Sequence, residues 1–562
     1  MRKSYAFTGS ETKLLHCTIG EILEETAIKY PENDALVATW RDERYTYKEL
    51  YELCRQAAKG FMKLGVAKGD RVAIWATNYP EWVITQFATA MIGAILVTVN
   101  PAYRSHELEY CIKDSQSQTL ILIGSFKTSD YLSIFYQVCP EAKTAEAGEI
   151  KTERFPYLKN AIFLGKEAHE GMFTWQELLK MGRDVTDEGL NEREESLDPD
   201  DVINIQYTSG TTGLPKGASL THRNILNNGF FVGEYMKFTS EDRLCIPVPF
   251  YHCFGMVLSN LACITHGATM VLPAEYFEPS AVLQAVEKER CTALHGVPTM
   301  FIAELAHPEF SKFNLSRLRT GIMAGSPCPI EVMKKVIDLM HASEMTIAYG
   351  LTEASPVTNQ TAPDDPLELR CESVGRPSPH VEVKIIDPAT GKLVPLGQPG
   401  ELCTRGYVVM REYYNKPEET AEVIDEAGWL HTGDLAEMDD NGYCKIVGRI
   451  KDMIIRGGEN VYPREIEEFL YTHPKIKDVQ VIGVPDQKLG EQVAAWIQLR
   501  KGQTATDEEI QGFCKGKIAH YKIPKYIKFV DNFPMTVTGK IQKYKMREMM
   551  TKELGLEQER QS

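Results

Sequence analysis

A run of eleven residues, Tyr207-Thr-Ser-Gly-Thr-Thr-Gly-Leu-Pro-Lys-Gly217, holds the densest chemistry in the chain. Gly210, Gly213 and Gly217 let the backbone come close to a ligand. Thr208, Ser209, Thr211 and Thr212 add hydroxyl donors, and Lys216 adds charge. Hydroxyls and backbone N–H groups together can wrap phosphates. The pattern G-x-x-x-x-G-K-[ST] is not matched, so this is not a Walker loop. A short piece of it would pass for a flexible Gly/Thr turn. Eleven such residues between the apolar run 202–206 and a polar stretch, 221–228, point instead to phosphate.

Other segments gain meaning only together. Tyr349-Gly350-Leu-Thr352-Glu353 offers an aromatic ring, a hydroxyl and a carboxylate. A Thr-Glu pair alone serves as a helix cap, but a carboxylate beside phosphate also suits a hard cation. Gly428-Trp-Leu-His-Thr-Gly-Asp434 reads alone as a surface turn, yet one carboxylate can accept two hydrogen bonds. Gly448-Arg449-Ile-Lys451-Asp452 follows, and Pro534-Met-Thr-Val-Thr-Gly-Lys540 comes near the end. The latter is a solvated turn by itself, although lysine is a compact charge on a mobile stem. In Phe250-Tyr-His252-Cys-Phe-Gly-Met256, the histidine is either a site residue or a satisfied core residue.

In order and spacing these segments resemble the adenylate-forming superfamily of acyl-CoA synthetases, luciferases and peptide-synthetase adenylation domains. The likeness covers nearly the whole chain and is nearest to fatty-acyl and medium-chain acyl-CoA synthetases. It implies a phosphate loop at 207–217 and an adenine pocket lined by Gly325, Ser326 and Pro327. It further implies that Tyr349 and Gly350 border the adenine, Thr352 contacts the α-phosphate, Glu353 holds Mg²⁺, and Asp434 and Arg449 bind the ribose. Lys540 would be the catalytic lysine, offsetting repulsion between a carboxylate and the α-phosphate. Lys451 would be an interdomain hinge, Gly457-Gly458-Glu459 a passage for pantetheine, and His252 a gate to the carboxylate site. Val297, Met323, Pro356 and Val357 lie near pocket segments and are equally plain core.

The resemblance implies ATP, Mg²⁺ and coenzyme A as cofactors and an apolar carboxylic acid as substrate, with a medium- to long-chain fatty acid favoured. The expected activity is an AMP-forming acyl-CoA ligase. Its alternatives are a ligase for cyclic or aromatic acids and a free-standing adenylation enzyme that loads a carrier protein. A carrier segment with its serine attachment motif is not seen downstream. A nucleotide-binding regulator with a dead site is disfavoured because Lys540, Glu353 and Asp434 are all present. The implied fold is α/β: a large multi-layer N-terminal domain, 1–450, and a small mobile α+β domain, 451–562.

The surrounding elements agree with that plan. Thr46 and Glu49 form a capping box for a helix towards Lys63, which Gly65 ends. Strands at 71–76 and 95–99 flank a helix from about Pro80, an α/β alternation. The uncharged stretch 82–100 is broken by Gly93 and reads as a buried helix and strand, not a membrane span. Two polar segments, 141–154 and 184–201, read as loops. Beyond 450 come a helix opened by Pro463, strands at 479–484 and 493–499, and a helix capped by Thr506 and Glu509.

At 562 residues, 43% hydrophobic and 25% charged, the chain has material for at least two domains. Its net charge of −16 excludes non-specific wrapping of nucleic acid. Residues 515–545 run against this, with eight lysines and one acid, Asp531. They form a solvated basic face or a cationic lid for a polyanion. Thirteen scattered cysteines without C-x-x-C spacing predict neither zinc site nor disulfide framework and fit a reducing compartment. The N-terminus has Arg2 and Lys3 but no apolar run of a secretory signal. The expected location is cytoplasmic, with a processed mitochondrial-matrix chain as the alternative. Peripheral membrane contact stays open, as do monomer and homodimer.

Overall fold

The computed structural model describes residues 2–208, 215–457, 459–535 and 541–556. Two large, mainly parallel sheets form the centre of the N-terminal part. Among the described residues one has eight strands, ordered Phe173–Thr174, Asn160–Phe163, Thr119–Leu122, Arg71–Trp75, Ile95–Thr98, Val202–Thr208, Lys216–Thr221 and Glu412–Tyr413. The other has seven, from Glu344–Thr346 through Thr320–Met323, Ala293–Gly296, Arg243–Cys245, Thr269–Leu272 and Asp34–Ala38 to Glu43–Thr46. Central strands such as Ile95–Thr98 and Thr320–Met323 are buried throughout. Parallel strands covered on both faces are near-continuous apolar runs.

The local signals hold. The Thr46–Glu49 capping box opens helix Tyr47–Lys63, and Gly65 follows with φ +81°. The uncharged stretch forms the buried helix Pro80–Met91 and strand Ile95–Thr98. No helix among the described residues is long and apolar enough to cross a membrane. All thirteen cysteines are free thiols, ten of them buried.

One expectation fails. The acidic segment 184–201 contains helix Asp187–Glu195, which has a single buried side chain, Leu190. Ion pairs to helix Tyr47–Lys63 anchor it: Asp187 lies 3.0 Å from Lys59, and Glu194 lies 3.2 Å from Arg55. One apolar anchor leaves no periodicity to read. By contrast, 141–154 holds only the short 3₁₀ turn Pro140–Lys143.

The polar stretch 221–228 begins helix His222–Tyr235, whose asparagines are buried. Asn227 Nδ2 donates to Leu15 O at 3.1 Å and Asn228 Nδ2 to Val357 O at 2.9 Å. These amides pair with backbone from distant segments in the interior, where an unmade hydrogen bond is costly.

Among the described residues four smaller sheets complete the fold, the smallest pairing Ser125–Phe126 with Ser129–Asp130. Five antiparallel strands run in the order Tyr5–Phe7, Val381–Ile386, Gly400–Gly406, Leu430–Met438 and Cys444–Arg449. A three-stranded sheet joins Ala348–Gly350, Val357–Gln360 and Arg376–Pro377. The smaller C-terminal domain is a sheet of Glu459–Val461, Ile454–Arg456, Gly490–Leu499, Ile476–Asp486 and Tyr526–Phe529, packed with helices Pro463–Tyr471, Asp507–Cys514 and Lys543–Glu553. Within it Lys522, Lys525, Lys528 and Lys543 pair with Glu465, Asp486, Glu553 and Glu467. Half of the basic run's lysines are therefore matched by acids of the same domain.

Burial makes two core histidines pH-sensitive. His222 accepts the Ile19 N–H at Nδ1, and desolvation pushes its pKa down to about 4. His295 lies between Ser259 Oγ and Met236 Sδ, and desolvation pushes it down to about 3. Each titrates near 6.5 when unfolded, so the unfolded chain binds more protons below that pH. Their contribution is complete above pH 6.5 and lost progressively on acidification, at about 1.4 kcal/mol per pH unit for each histidine. Denaturant titrations at pH 7.5 and 5.0 should show a loss on the order of 2 kcal/mol per histidine. The decline should be shallower in His222→Asn; an unchanged slope would contradict a neutral buried His222.

Candidate active site

The site segments lie where strands end. Gly325, Ser326 and Pro327 follow strand Thr320–Met323, and the adjacent strand Glu344–Thr346 runs on into Ala348–Gly350. The carboxyl ends of parallel strands are the usual place for ligand loops in open α/β sheets. Gly325 has φ +89°, and Val297 Cγ1 is 3.2 Å from where a Cβ would stand.

Asp434 is the best-defined group. It sits opposite Arg449 in the ladder between Leu430–Met438 and Cys444–Arg449, which brings Arg449 Nε 3.0 Å from Oδ1. Tyr349 OH donates to Oδ2 at 2.7 Å from the three-stranded sheet. Asp434 is buried while Arg449 is exposed. The carboxylate raises the Arg449 pKa, and burial followed by Asp434 raises that of Tyr349. Donors from two sheets thus orient an acceptor with two oxygens, a group able to take a diol.

Glu353 stands in the turn Thr352–Ala354, close to Tyr349 in sequence. Its Oε1 accepts Tyr413 OH at 2.7 Å, and its backbone O accepts Met410 N–H at 2.8 Å. Tyr413 lies on a strand paired with Lys216–Thr221, and Lys216 Nζ is 5.0 Å from its ring centroid. That spacing suits a cation–π contact. Tyr413 therefore joins Lys216, the candidate phosphate-loop lysine, to the candidate cation ligand. Neither charge nor spacing marked it in the sequence; only the fold places its two-residue strand beside Lys216.

Strands Val202–Thr208 and Lys216–Thr221 form an antiparallel pair, with Thr208 opposite Lys216, and Thr208 Oγ1 donates to Lys216 O at 3.3 Å. Ser209, Gly210, Thr211, Thr212 and Gly213 lie outside the described residues, as do Gly458 and Lys540.

His252 precedes a short helix that continues as the π-helix Met256–Leu261. Its half-exposed ring is 4.2 Å from that of Tyr251. Burial raises the pKa of the adjacent Cys253, and Glu353 adds to that effect, so this segment borders the Glu353 turn. Among the pocket candidates, Met323 and Val357 belong to core clusters, whereas Val297 and Pro356 are half-buried.

Lys451 lies in the turn Ile450–Asp452 that leads into the C-terminal sheet. Gly457, at φ +62°, and Glu459 lie at a hairpin turn there, and Gly457 N–H donates to Leu489 O at 2.8 Å. The described contacts unite Tyr349, Asp434 and Arg449, and Glu353 with Lys216. The contacts of Gly457 stay within its own sheet.

Comparison with known proteins bears on the family and the fold. Residues 23–414 match the AMP-binding enzyme family, and residues 465–540 match the AMP-binding enzyme C-terminal domain. A putative acyl-CoA synthetase of Bacillus subtilis, YngI, is 56% identical over 536 residues, 95% of this chain and 97% of that protein. The mitochondrial medium-chain acyl-CoA ligase ACSF2 of Homo sapiens is 46% identical over 545 residues, 96% and 88% of the two chains. ATP-bound MatB from Rhodopseudomonas palustris superposes with a TM-score of 0.81 at 27% identity, covering 96% of this chain and all of that one.

Two glycines test the turns that carry these side chains. A Cβ at Gly350 would lie 1.8 Å from Pro356 O and 3.0 Å from Val357 Cα, both backbone atoms. Gly433, at φ +70°, has nothing within 4 Å of its Cβ position. Gly350→Ala should cost about 3 kcal/mol or more and weaken nucleotide binding through Tyr349. Gly433→Ala should cost only the left-handed backbone penalty, about 1–2 kcal/mol. Chemical denaturation should give that order; the reverse order would contradict the clash at Gly350.

Proposed function

The chain belongs to the AMP-binding enzyme family and is an AMP-forming acyl-CoA ligase, and we propose that it activates an apolar carboxylic acid, medium- to long-chain, with Asp434, Glu353 and Lys540 as its central residues. One observation carries the site assignment: the buried Asp434 carboxylate is oriented by Tyr349 and Arg449, with Glu353 and Lys216 joined through Tyr413. This arrangement suits a ribose at one end and phosphates at the other. The name of the human relative supports a medium-chain acid. The apolar run Phe254 to Met256 beside His252, with half-buried Val297, supports an apolar acyl group.

In the first half-reaction a carboxylate oxygen attacks the α-phosphorus of ATP. The new acyl–O–P bond forms as the bond to pyrophosphate breaks. Asp434 and Arg449 hold the ribose, Tyr349 and Gly350 border the adenine with Gly325, Ser326 and Pro327, and Thr352 contacts the α-phosphate. Thr208 and Lys216, with the loop residues Ser209 to Gly213, take the outer phosphates. His252 gates the carboxylate site. The Glu353 carboxylate, steadied by Tyr413 and set beside a phosphate site, fits Mg²⁺, a hard cation that takes oxygen ligands. Bound there, it neutralises phosphate charge. Lys540 stabilises the negative charge that develops between the two anions. In the second half-reaction the CoA thiol attacks the acyl carbonyl and AMP leaves.

The domains divide at 450/451, and the C-terminal one serves both steps by turning about Lys451. After the turn it presents Gly457, Gly458 and Glu459 to pantetheine. Such rearrangements often limit turnover. Cytoplasm is the proposed compartment, supported by thirteen free thiols.

AMP release should be measured with and without CoA over carboxylates from acetate to palmitate, with benzoate and cyclohexanecarboxylate. CoA-dependent release peaking at medium or long chains is expected; a peak at the ring acids would overturn the fatty-acid assignment. Lys540→Ala should lower adenylate formation by 100-fold or more and spare thioester formation from a supplied acyl adenylate. Equal loss in both half-reactions, with the fold intact, would remove Lys540 from the first step.

A further inference from the structure

The strand that carries Asp434 is irregular at that residue. Its ladder with Gly400–Gly406 pairs His431 with Cys403 and Leu435 with Glu401. Three residues, Thr432 to Asp434, therefore face the single residue Leu402. A bulge of this kind interrupts the ladder and re-aims a side chain. It also strips backbone N–H groups of their partners, and each must be satisfied or left at a cost.

Side chains replace the missing bonds. Gly433 N–H donates to Glu401 Oε1 at 3.1 Å, and Asp434 N–H donates to Thr432 Oγ1 at 3.1 Å. Thr432 Oγ1 in turn donates to Leu402 O at 2.7 Å, which pins the bulge to the residue it faces. The second oxygen of Glu401 accepts His431 Nδ1–H at 2.9 Å, and His431 Nε2 lies 3.7 Å from Asp425 Oδ2. Asp425 itself accepts the Ala427 and Trp429 N–H groups at 2.9 Å. Glu401 is 8% exposed, so its carboxylate is reserved for these partners.

We propose that Glu401 is a positioning residue that braces the 432–434 bulge and so sets the angle at which Asp434 meets the ribose hydroxyls. The brace acts from behind the strand and touches no substrate. It rests on the assignment of Asp434 to the ribose. Glu401, Cys403 and His431 also place metal-ligand atoms within 4.8 Å of one another. Here the two carboxylate oxygens face N–H donors, the arrangement of a hydrogen-bonded brace.

The test compares ATP with 2′,3′-dideoxy-ATP, which lacks both hydroxyls, by calorimetry on the full-length protein. Glu401→Ala should weaken ATP binding ten-fold or more and change dideoxy-ATP binding less than three-fold. Glu401→Gln keeps an acceptor for Gly433 N–H and should restore most of the preference for ATP, which also covers a poorly folding alanine variant. Equal weakening of both nucleotides would reduce Glu401 to a general structural role, and no change in either would remove it. A divalent metal present in stoichiometric amount in the purified protein and lost in Glu401→Ala would also overturn the brace. Asp434→Ala separates the two levels. If it abolishes the preference while Glu401→Ala does not, only the brace falls. If it leaves the preference intact, the ribose assignment falls and the brace with it.

Discussion

A carboxylate buried beside a ligand must be held without being used up, and Asp434 is the residue on which this constraint falls. Desolvating its charge without partners would be costly. Tyr349 and Arg449 supply donors, one to each oxygen, from two different sheets. Because both partners must meet the same small group, the relative placement of the three-stranded and five-stranded sheets is tied to it. Arg449 ends its strand directly before the turn Ile450–Asp452. The proposed ribose grip therefore borders the proposed hinge, and rotation of the C-terminal domain about Lys451 would act first on the Arg449 side of the carboxylate.

A second tie crosses the eight-stranded sheet. Residues 410–414 are stitched to the phosphate-loop strand by Arg411 N–H to Ser219 O and Tyr414 N–H to Gly217 O, and to the Glu353 turn by Met410 N–H to Glu353 O. Ser355 Oγ donates to Val408 O at 2.6 Å and extends the stitch along the same turn. The buried amide of Asn228 adds a third line, to Val357. None of these contacts is chemical in itself. Together they fix the separation between Lys216 and Glu353, the candidate phosphate and cation groups.

The sequence discloses some of this and withholds the rest for physical reasons. Capping boxes, glycine stops and apolar runs are local, so Thr46–Glu49, Gly65 and the strand Ile95–Thr98 can be read directly. Motifs such as Tyr349 to Glu353 can be read only as an ensemble, through the family resemblance that their order and spacing carry. Helix Asp187–Glu195 could not be read, since ion pairs from a distant helix hold it. The polar start of helix His222–Tyr235 hid three buried asparagines, each of which bonds a backbone carbonyl from a distant segment. Tyr413 and Glu401 were illegible for a shared reason: Tyr413 meets Glu353, and Glu401 meets Gly433 and His431, only after strands from separate segments have paired.

Charge explains how an acidic chain can take a polyanion. With a net charge of −16, the long-range field repels ATP and coenzyme A, so recognition must be short-range. The lysine-rich run 515–545 looks like a remedy, but four of its lysines face Glu465, Asp486, Glu553 and Glu467 within the C-terminal domain. Lys517 lies 4.1 Å from the Phe513 ring centroid, a further local engagement. Those charges are engaged within the small domain. In the proposed site nucleotide recognition falls to close, directional groups: Lys216 held over Tyr413, Glu353, and Asp434 between Tyr349 and Arg449. In the proposed cycle a cation delivered late by a turning domain then acts on the transition state more than on ground-state binding, and only such differential stabilisation accelerates the chemical step.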